Sequence, residues 1–190
     1  MAWHRLFWLV FLGFLVTASA ASDGVFVLDD FSDGVSSVGT RWQAVTDRVM
    51  GGRSDISAVI GETEEGAVLQ MTGTVTTENN GGFIQVRLPM AARSFDASEY
   101  TGVYLTVRGR GDRFYVWLRT DRTNRPWLHY SAELTVDAAW NRVELPFARF
   151  TGERRLEGTT VDTEALRSVA VVAAEGNFEA AIQLLEIGFY

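Results

Sequence analysis

The residues that could do chemistry in this chain are concentrated first in the run 42–54, WQAVTDRVMGGRS. Its apolar positions follow neither the period of a strand nor that of a helix, so we predict an ordered loop. Gly51 and Gly52 accept positive φ at little steric cost, which allows a sharp turn there. We expect Trp42 and Met50 to anchor the loop against the rest of the protein.

Polar side chains in this loop indicate how it is held and what it offers. We expect Asp47 and Ser54 to fix it by hydrogen bonds, while the glycines present backbone groups outward to a ligand or a partner. Arg87, on a later segment, could instead pair with Asp47, which would make the cluster structural. A loop that only closes one end of a β-sandwich is the alternative interpretation, since most such loops are structural.

A second group of candidates is aromatic. Along the segment 114–119, apolar side chains alternate with Tyr115, Trp117 and Arg119, which predicts a strand whose first set packs into a core. The second set, together with Trp127 from the following segment, is expected to form an outer face. Trp and Tyr beside Arg suit stacking on sugars or contact with a protein. Coverage of this face by loops is the alternative.

Carboxylates give only weak candidates for a metal site. Asp29, Asp30 and Asp33 could offer hard oxygen ligands to calcium. Their order does not match an EF-hand loop, and Asp with Gly is an ordinary turn composition. We therefore predict no metal, with these three residues as weak calcium candidates.

Catalytic motifs are missing from the sequence. Outside the first twenty residues there is one histidine, His129, and the chain has no cysteine. No nucleophile elbow, phosphate-binding loop or zinc-binding helix motif is present. No cofactor is predicted, and a hydrolase that uses paired carboxylates is the least favoured of the functions considered.

The first twenty residues have the pattern of an export signal. A short basic start at His4 and Arg5 precedes an apolar run, and Ala18-Ser19-Ala20 resembles a cleavage site. We expect a signal peptide over 1–20, a single domain over 21–190, and a periplasmic or secreted location. The remaining chain has no apolar run long enough for a membrane span. The net charge of −7 argues against nucleic-acid binding.

Short alternating segments separated by turn residues dominate the rest of the chain. Segments 103–108 and 114–119 flank a Gly-rich turn and predict a hairpin, and 127–134 predicts a further strand. A last strand over 182–189 should be central or closing. About ten strands with almost no helix indicate an all-β fold, a single jelly-roll β-sandwich.

Several of these residues also carry a family resemblance. The chain resembles the complex I intermediate-associated protein 30 family through Trp42, Asp47-x-Val49-Met50-Gly51-Gly52-x-Ser54, Asn80-Gly81-Gly82-Phe83, Leu118-Arg119-Thr120-Asp121 and Val143-x-Leu145-Pro146-Phe147. The resemblance implies a galactose-binding-like jelly roll and, in mitochondria, a complex I assembly factor. It places Gly81, Gly82 and Arg87 with the loop as binding candidates.

These observations favour a non-enzymatic binding or assembly-factor module that recognises a protein partner, a respiratory membrane complex being the partner that the resemblance suggests. The mitochondrial role belongs to the matrix, which corresponds to bacterial cytoplasm, whereas the predicted signal directs export. A carbohydrate-binding β-sandwich that uses the aromatic face is the alternative function.

Overall fold

The computed structural model describes residues 24–90 and 94–190 as two packed antiparallel sheets. The strands are β1 (Phe26–Asp29), β2 (Gln43–Thr46), β3 (Asp55–Thr63), β4 (Gly66–Val75), β5 (Phe83–Pro89), β6 (Gly102–Arg110), β7 (Phe114–Thr120), β8 (Tyr130–Leu134), β9 (Asn141–Pro146), β10 (Thr151–Gly152), β11 (Leu166–Ala174) and β12 (Phe178–Phe189). Short 3₁₀ turns lie at Asp47–Met50, Glu78–Asn80, Phe147–Arg149, Arg154–Leu156 and Thr163–Ala165. The predicted all-β sandwich is confirmed. The predicted signal peptide lies outside the described residues.

The first sheet has the strand order β3-β4-β12-β6-β9, and β1 also pairs with β12. The longest strand of the described chain is therefore central, with β4 along one edge and β6 along the other. This agrees with the expected central position of the last strand.

The second sheet has the order β10-β8-β7-β11-β5-β2. β11 pairs with β5 from Ser168 to Ala174 and with β7 from Leu166 to Ala173. Apolar side chains occupy both faces of β11, because Val169 and Val171 enter the core while Ala170 and Val172 lie under aromatic rings on the outer face. This placement puts β5, β7 and β11 side by side beneath the aromatic face.

The core between the sheets comes from alternating strand positions. Phe114, Val116 and Leu118 of β7 are buried, as the alternation of that segment predicts. They face Leu105, Ile182 and other fully buried residues of the first sheet.

Three of the sequence predictions about elements were wrong. β6 and β7 do not form a hairpin, because the turn between them carries the chain from the first sheet to the second. Local alternation cannot distinguish that crossing from a hairpin, since both need two amphipathic strands and a tight turn. The strand predicted over 127–134 begins only at Tyr130, and the loop over 42–54 contains β2 before its 3₁₀ turn.

Within residues 24–90 and 94–190, no helix is long and apolar enough to cross a membrane.

Candidate functional site

Asp47 is the buried centre of the turn over 46–54, called here the Asp47 turn. Its carboxylate is fully buried. Oδ1 accepts a hydrogen bond from Ser54 N at 3.0 Å, and Oδ2 accepts one from Ser54 Oγ at 2.5 Å. Oδ2 also accepts from Gly82 N at 2.7 Å and from Phe83 N at 3.4 Å. Several donors thus compensate the charge without a basic side chain.

The Asp47 turn joins two connections that cross between the sheets. Residues 47–54 lead from β2 in the second sheet to β3 in the first, and residues 76–82 lead back from β4 to β5. Ser54 Oγ also accepts a hydrogen bond from Thr76 N at 3.0 Å. Asp47 and Ser54 therefore tie the two crossings together at one end of the sandwich.

Four glycines allow these contacts, two because a side chain would not fit and two because of their backbone conformation. A Cβ on Gly52 or Gly81 would overlap the Asp47 carboxylate, so both positions need a residue without a side chain. Gly51 has a φ of +91° and Gly82 a φ of +135°, which L side chains rarely adopt. The N–H groups of Gly51 and Gly52 donate within the turn, to the carbonyls of Arg48 and Asp47, so these donors are not presented outward as the sequence predicted.

The exposed part of the Asp47 turn is apolar. Val49 is 74% and Met50 is 56% exposed, at the end of the 3₁₀ turn that Asp47 begins. Met50 therefore does not anchor the loop, contrary to the sequence prediction. Val49 was missed as a surface residue, although an apolar side chain out of period in a turn is the signal that could have indicated it.

Trp42 does anchor its segment, but through a polar contact. Its indole N–H donates to Asp29 Oδ2 at 2.9 Å, and its ring lies 6.0 Å from that of Phe31. Arg87 does not reach the Asp47 turn: its Nη2 donates to Gln43 Oε1 at 3.0 Å on the outer face of the second sheet. The suggested Arg87–Asp47 pair is wrong, since β5 carries Arg87 away from that end of the sandwich.

The calcium candidates act as separate turn residues. Asp29 Oδ1 accepts from Phe31 N, Asp30 Oδ1 from Ser32 N and Oγ, and Asp33 Oδ1 from Val35 N. Burial raises the pKa of Asp29, whereas the Ser32 hydrogen bonds lower that of Asp30. In the part of the chain that the structure describes, no group of three His, Cys, Asp or Glu residues is placed to hold a metal ion.

The aromatic face lies on the outside of the second sheet, and is defined here by Phe83, Tyr115 and Trp117. Phe83 and Trp117 have ring centroids 5.7 Å apart and pack over Ala170 and Val172. Tyr115 donates to Glu175 Oε2 at 2.7 Å, and burial followed by Glu175 raises the pKa of Tyr115 to about 12. The rings are partly buried, so most of this face packs on its own sheet.

His129 completes the packing of the aromatic face. Its ring stacks on Trp117 at a centroid distance of 3.9 Å and is almost fully buried. Burial, and then the nearby Arg119, lower the pKa of His129 to about 4. The imidazole is therefore neutral near pH 7, so its 3.3 Å approach to Glu153 Oε1 is not an ion pair there.

Beside the aromatic face lies a cleft of about 440 Å³ that is lined by Arg87, Arg119 and Arg167, called here the arginine cleft. Arg119 donates through Nη2 to the carbonyl of Pro126, which precedes Trp127. Trp127 is 49% exposed. The structure thus brings Arg87 and Arg119 to one cleft and places the peptide group that precedes Trp127 against Arg119. Tyr115, Trp117 and Trp127 are not among the residues that line the cleft. Arg167 was missed, because it lies at a bulge where β11 breaks its alternation.

With this geometry in view, comparison with known proteins is informative. The model of the family described as Complex I intermediate-associated protein 30 matches residues 30–181. The chain belongs to this family. Complex I intermediate-associated protein 30, mitochondrial, from Mus musculus is 27% identical over an alignment of 128 positions that covers 58% of this chain and 38% of the mouse protein. The chain thus matches well under half the length of that relative.

Solved structures show the same fold. The family 11 carbohydrate-binding module of cellulase Lic26A-Cel5E from Clostridium thermocellum superposes with a TM-score of 0.67 at 18% identity, covering 87% of this chain and 94% of the module. A complex of the family 11 module with a β-1,3-1,4-mixed-linked tetrasaccharide gives 0.66, at the same identity, over 87% and 95%. The family 30 module of cellulase Cel9D-Cel44B from the same organism gives 0.54 at 12% identity, over 77% and 90%. This family member therefore shares the sandwich of carbohydrate-binding modules.

Proposed function

We propose that this protein is a non-enzymatic recognition module that binds a protein partner through the tip of the Asp47 turn. The observation that carries the proposal is the contrast within that turn. Asp47 and Ser54 are fully buried and hydrogen-bonded, whereas Val49 and Met50 are exposed at its tip. A rigid base that holds two apolar side chains in water has the character of an interface anchor, because little entropy is lost on binding.

Family membership supports a role in assembly. The mouse relative is named for association with complex I intermediates, and its match to this chain includes only part of its length. We infer that this chain acts similarly on a membrane complex, at its extracytoplasmic side, because the sequence pattern of residues 1–20 predicts export. Fractionation of cells and N-terminal sequencing of the mature protein test the export part, and the mature chain should begin at Ala21.

The decisive experiment replaces the apolar tip. Val49→Ser/Met50→Ser should reduce recovery of crosslinked partner subunits by about tenfold, as expected for loss of an interface anchor. The matched control is Val59→Ser/Ile60→Ser, which removes an equally apolar exposed pair from β3. Both variants should melt like the parent protein. Equal recovery of partner by the tip variant and the control would disprove recognition through the tip.

Carbohydrate binding is a second candidate function, and a specific surface favours it. The outer face of the second sheet carries Trp117 and Phe83, with the exposed Trp127 and the arginine cleft next to them. Carbohydrate-binding modules share the fold, which supports a sugar site on this sheet. A glycan array with Trp127→Ala as the test variant separates this function from the first. Trp127 is the better target, because Trp117 also packs on Phe83 and His129.

A further inference from the structure

The arginine cleft holds more positive charge than its surroundings neutralise. Arg87 is on β5 and Arg119 is on β7, the two strands that pair with β11, and Arg167 is on β11 itself. Asp121 is the one carboxylate that lines the cleft, and it is already bound to Arg167 at 3.0 Å. Among residues 24–90 and 94–190, no carboxylate lies within ion-pair distance of Arg87 or Arg119.

The hydrogen bonds of these two guanidinium groups are incomplete. Arg87 donates through Nη2 to Gln43 Oε1, and its Nε is buried without an acceptor in the described part of the chain. Arg119 donates through Nη2 to the Pro126 carbonyl, a neutral acceptor. A buried guanidinium nitrogen without an acceptor destabilises the protein, and an anion in the cleft would supply the missing acceptor.

The positive charge of Arg87 also acts on Arg119. Burial lowers the pKa of Arg119, and the positive charge of Arg87 lowers it further. Two cations that line one cleft are an unfavourable arrangement unless an anion joins them, even in a chain whose net charge is −7. A carboxylate matches the planar, forked geometry of arginine.

The rest of the cleft and its edge favour a sugar as the carrier of that carboxylate. Thr123, Asn124 and Ser168 line the cleft with hydroxyl and amide groups, which suit sugar hydroxyls more than apolar peptide side chains. The peptide group that receives the Arg119 hydrogen bond leads directly to the exposed indole of Trp127. An indole surface beside a polar cleft can pack on the apolar face of a sugar ring.

We propose that the arginine cleft binds the carboxylate of an acidic oligosaccharide, with Arg87 and Arg119 holding the uronate group and Trp127 packing on a sugar ring. This rests on the second candidate function, carbohydrate binding at the outer face of the second sheet. It adds the charge of the ligand and the residues that select it.

Calorimetry with oligogalacturonate and with a neutral mixed-linked β-glucan oligosaccharide tests the proposal. The parent protein should bind the acidic sugar at least about tenfold more tightly than the neutral one, and the difference should shrink as salt is added. Arg87→Gln/Arg119→Gln should lose that preference. The control Arg149→Gln/Arg155→Gln removes the same charge from exposed positions outside the cleft and should keep it.

The possible results distinguish binding of an acidic sugar from carbohydrate binding in general. Neutral-sugar binding that the cleft variant does not change would leave carbohydrate binding standing and overturn the acidic ligand. No binding of either sugar would overturn both. Binding of an acidic peptide, lost in the cleft variant, with no sugar bound would overturn the sugar assignment. Equal loss in the cleft variant and the control would reduce the effect to net charge and also overturn it.

Discussion

At one end of the sandwich a buried carboxylate is surrounded by donors, whereas on the outer face of the second sheet two arginines share a cleft with no free acid described beside them. Asp47 accepts hydrogen bonds from Ser54, Gly82 and Phe83. Arg87 and Arg119 find only neutral acceptors, and Arg87 Nε finds none. A buried charge whose hydrogen bonds are complete stabilises the fold, whereas one with unused hydrogen-bond donors is available to a ligand.

The largest effect is expected from removing the satisfied charge. Asp47→Ala leaves the donors of Ser54 and Gly82 buried without an acceptor, and should lower the free energy of unfolding by about 3–5 kcal/mol. Chemical denaturation measures this loss. Asp55→Ala, which removes an exposed carboxylate bonded to Arg48, is the control and should cost at most about 0.5 kcal/mol. Similar losses in both variants would show that Asp47 is no special tie.

A smaller loss is expected when the space for that carboxylate is filled. Gly52→Ala drives a Cβ into the Asp47 carboxylate, so the turn must shift, at a cost of about 2–3 kcal/mol. Gly61→Ala on β3 is the matched control, because its Cβ would meet only Gln70 Nε2, at 3.6 Å. Thermal unfolding of the two variants should therefore diverge. A Gly52→Ala protein as stable as the control would contradict the close packing on Asp47.

His129 provides an intermediate case, because it is buried but neutral. Its pKa of about 4 in the folded protein lies below the unfolded value of 6.5, so the unfolded chain binds the proton first as pH falls. Its contribution to stability is complete above pH 6.5 and is lost progressively between pH 6.5 and 4, by up to about 3 kcal/mol.

Denaturation of the parent protein and of His129→Gln, compared at pH 7 and pH 5, measures this contribution. The stability difference between the two proteins should change with pH, since the variant lacks the titrating group. Glu153, whose pKa is raised by burial, titrates in the opposite sense but is present in both proteins, so its contribution cancels in the difference. Parallel pH profiles for the two proteins would rule out a depressed pKa at His129.

The smallest effect on stability is expected from removing an unsatisfied charge. Arg87→Gln relieves repulsion with Arg119 but loses the bond to Gln43. The free energy of unfolding of the ligand-free protein should therefore change by no more than about 0.5 kcal/mol, which corresponds to a shift of about 1–2 °C in melting temperature. Differential scanning calorimetry without ligand provides this measurement. A marked destabilisation would mean that Arg87 maintains the fold, and the contrast with Asp47 would disappear.

Local sequence patterns predicted much of this fold, because the strands are amphipathic. The alternation around Val116 and Trp117 placed the first in the core and the second on the outer face. The crossing between β6 and β7 was not predictable, since which sheet a strand joins depends on packing far along the chain. The composition of the Asp47 turn identified its members, but not that Gly52 and Gly81 pack inward while Val49 and Met50 point to water.

The arginine cleft shows where sequence reasoning failed. Arg87, Arg119 and Arg167 are far apart along the chain, and only the pairing of β11 with β5 and β7 makes them neighbours. The sequence predicts Arg119 as part of the aromatic face, and the family resemblance places Arg87 with the Asp47 turn, with an Arg87–Asp47 pair as the structural alternative. Neither prediction indicated that the three arginines line one cleft.

The central position of β12 has a consequence for biogenesis. The first sheet pairs β12 with β1, β4 and β6, so strands made early must wait for residues 178–189 before they can join. Such distant pairing slows folding and leaves the nascent chain without a completed first sheet until residues 178–189 have been made. Removing those residues would separate the first sheet into a β3–β4 pair and a β6–β9 pair. A ribosome-stalled chain that lacks them should therefore remain sensitive to protease.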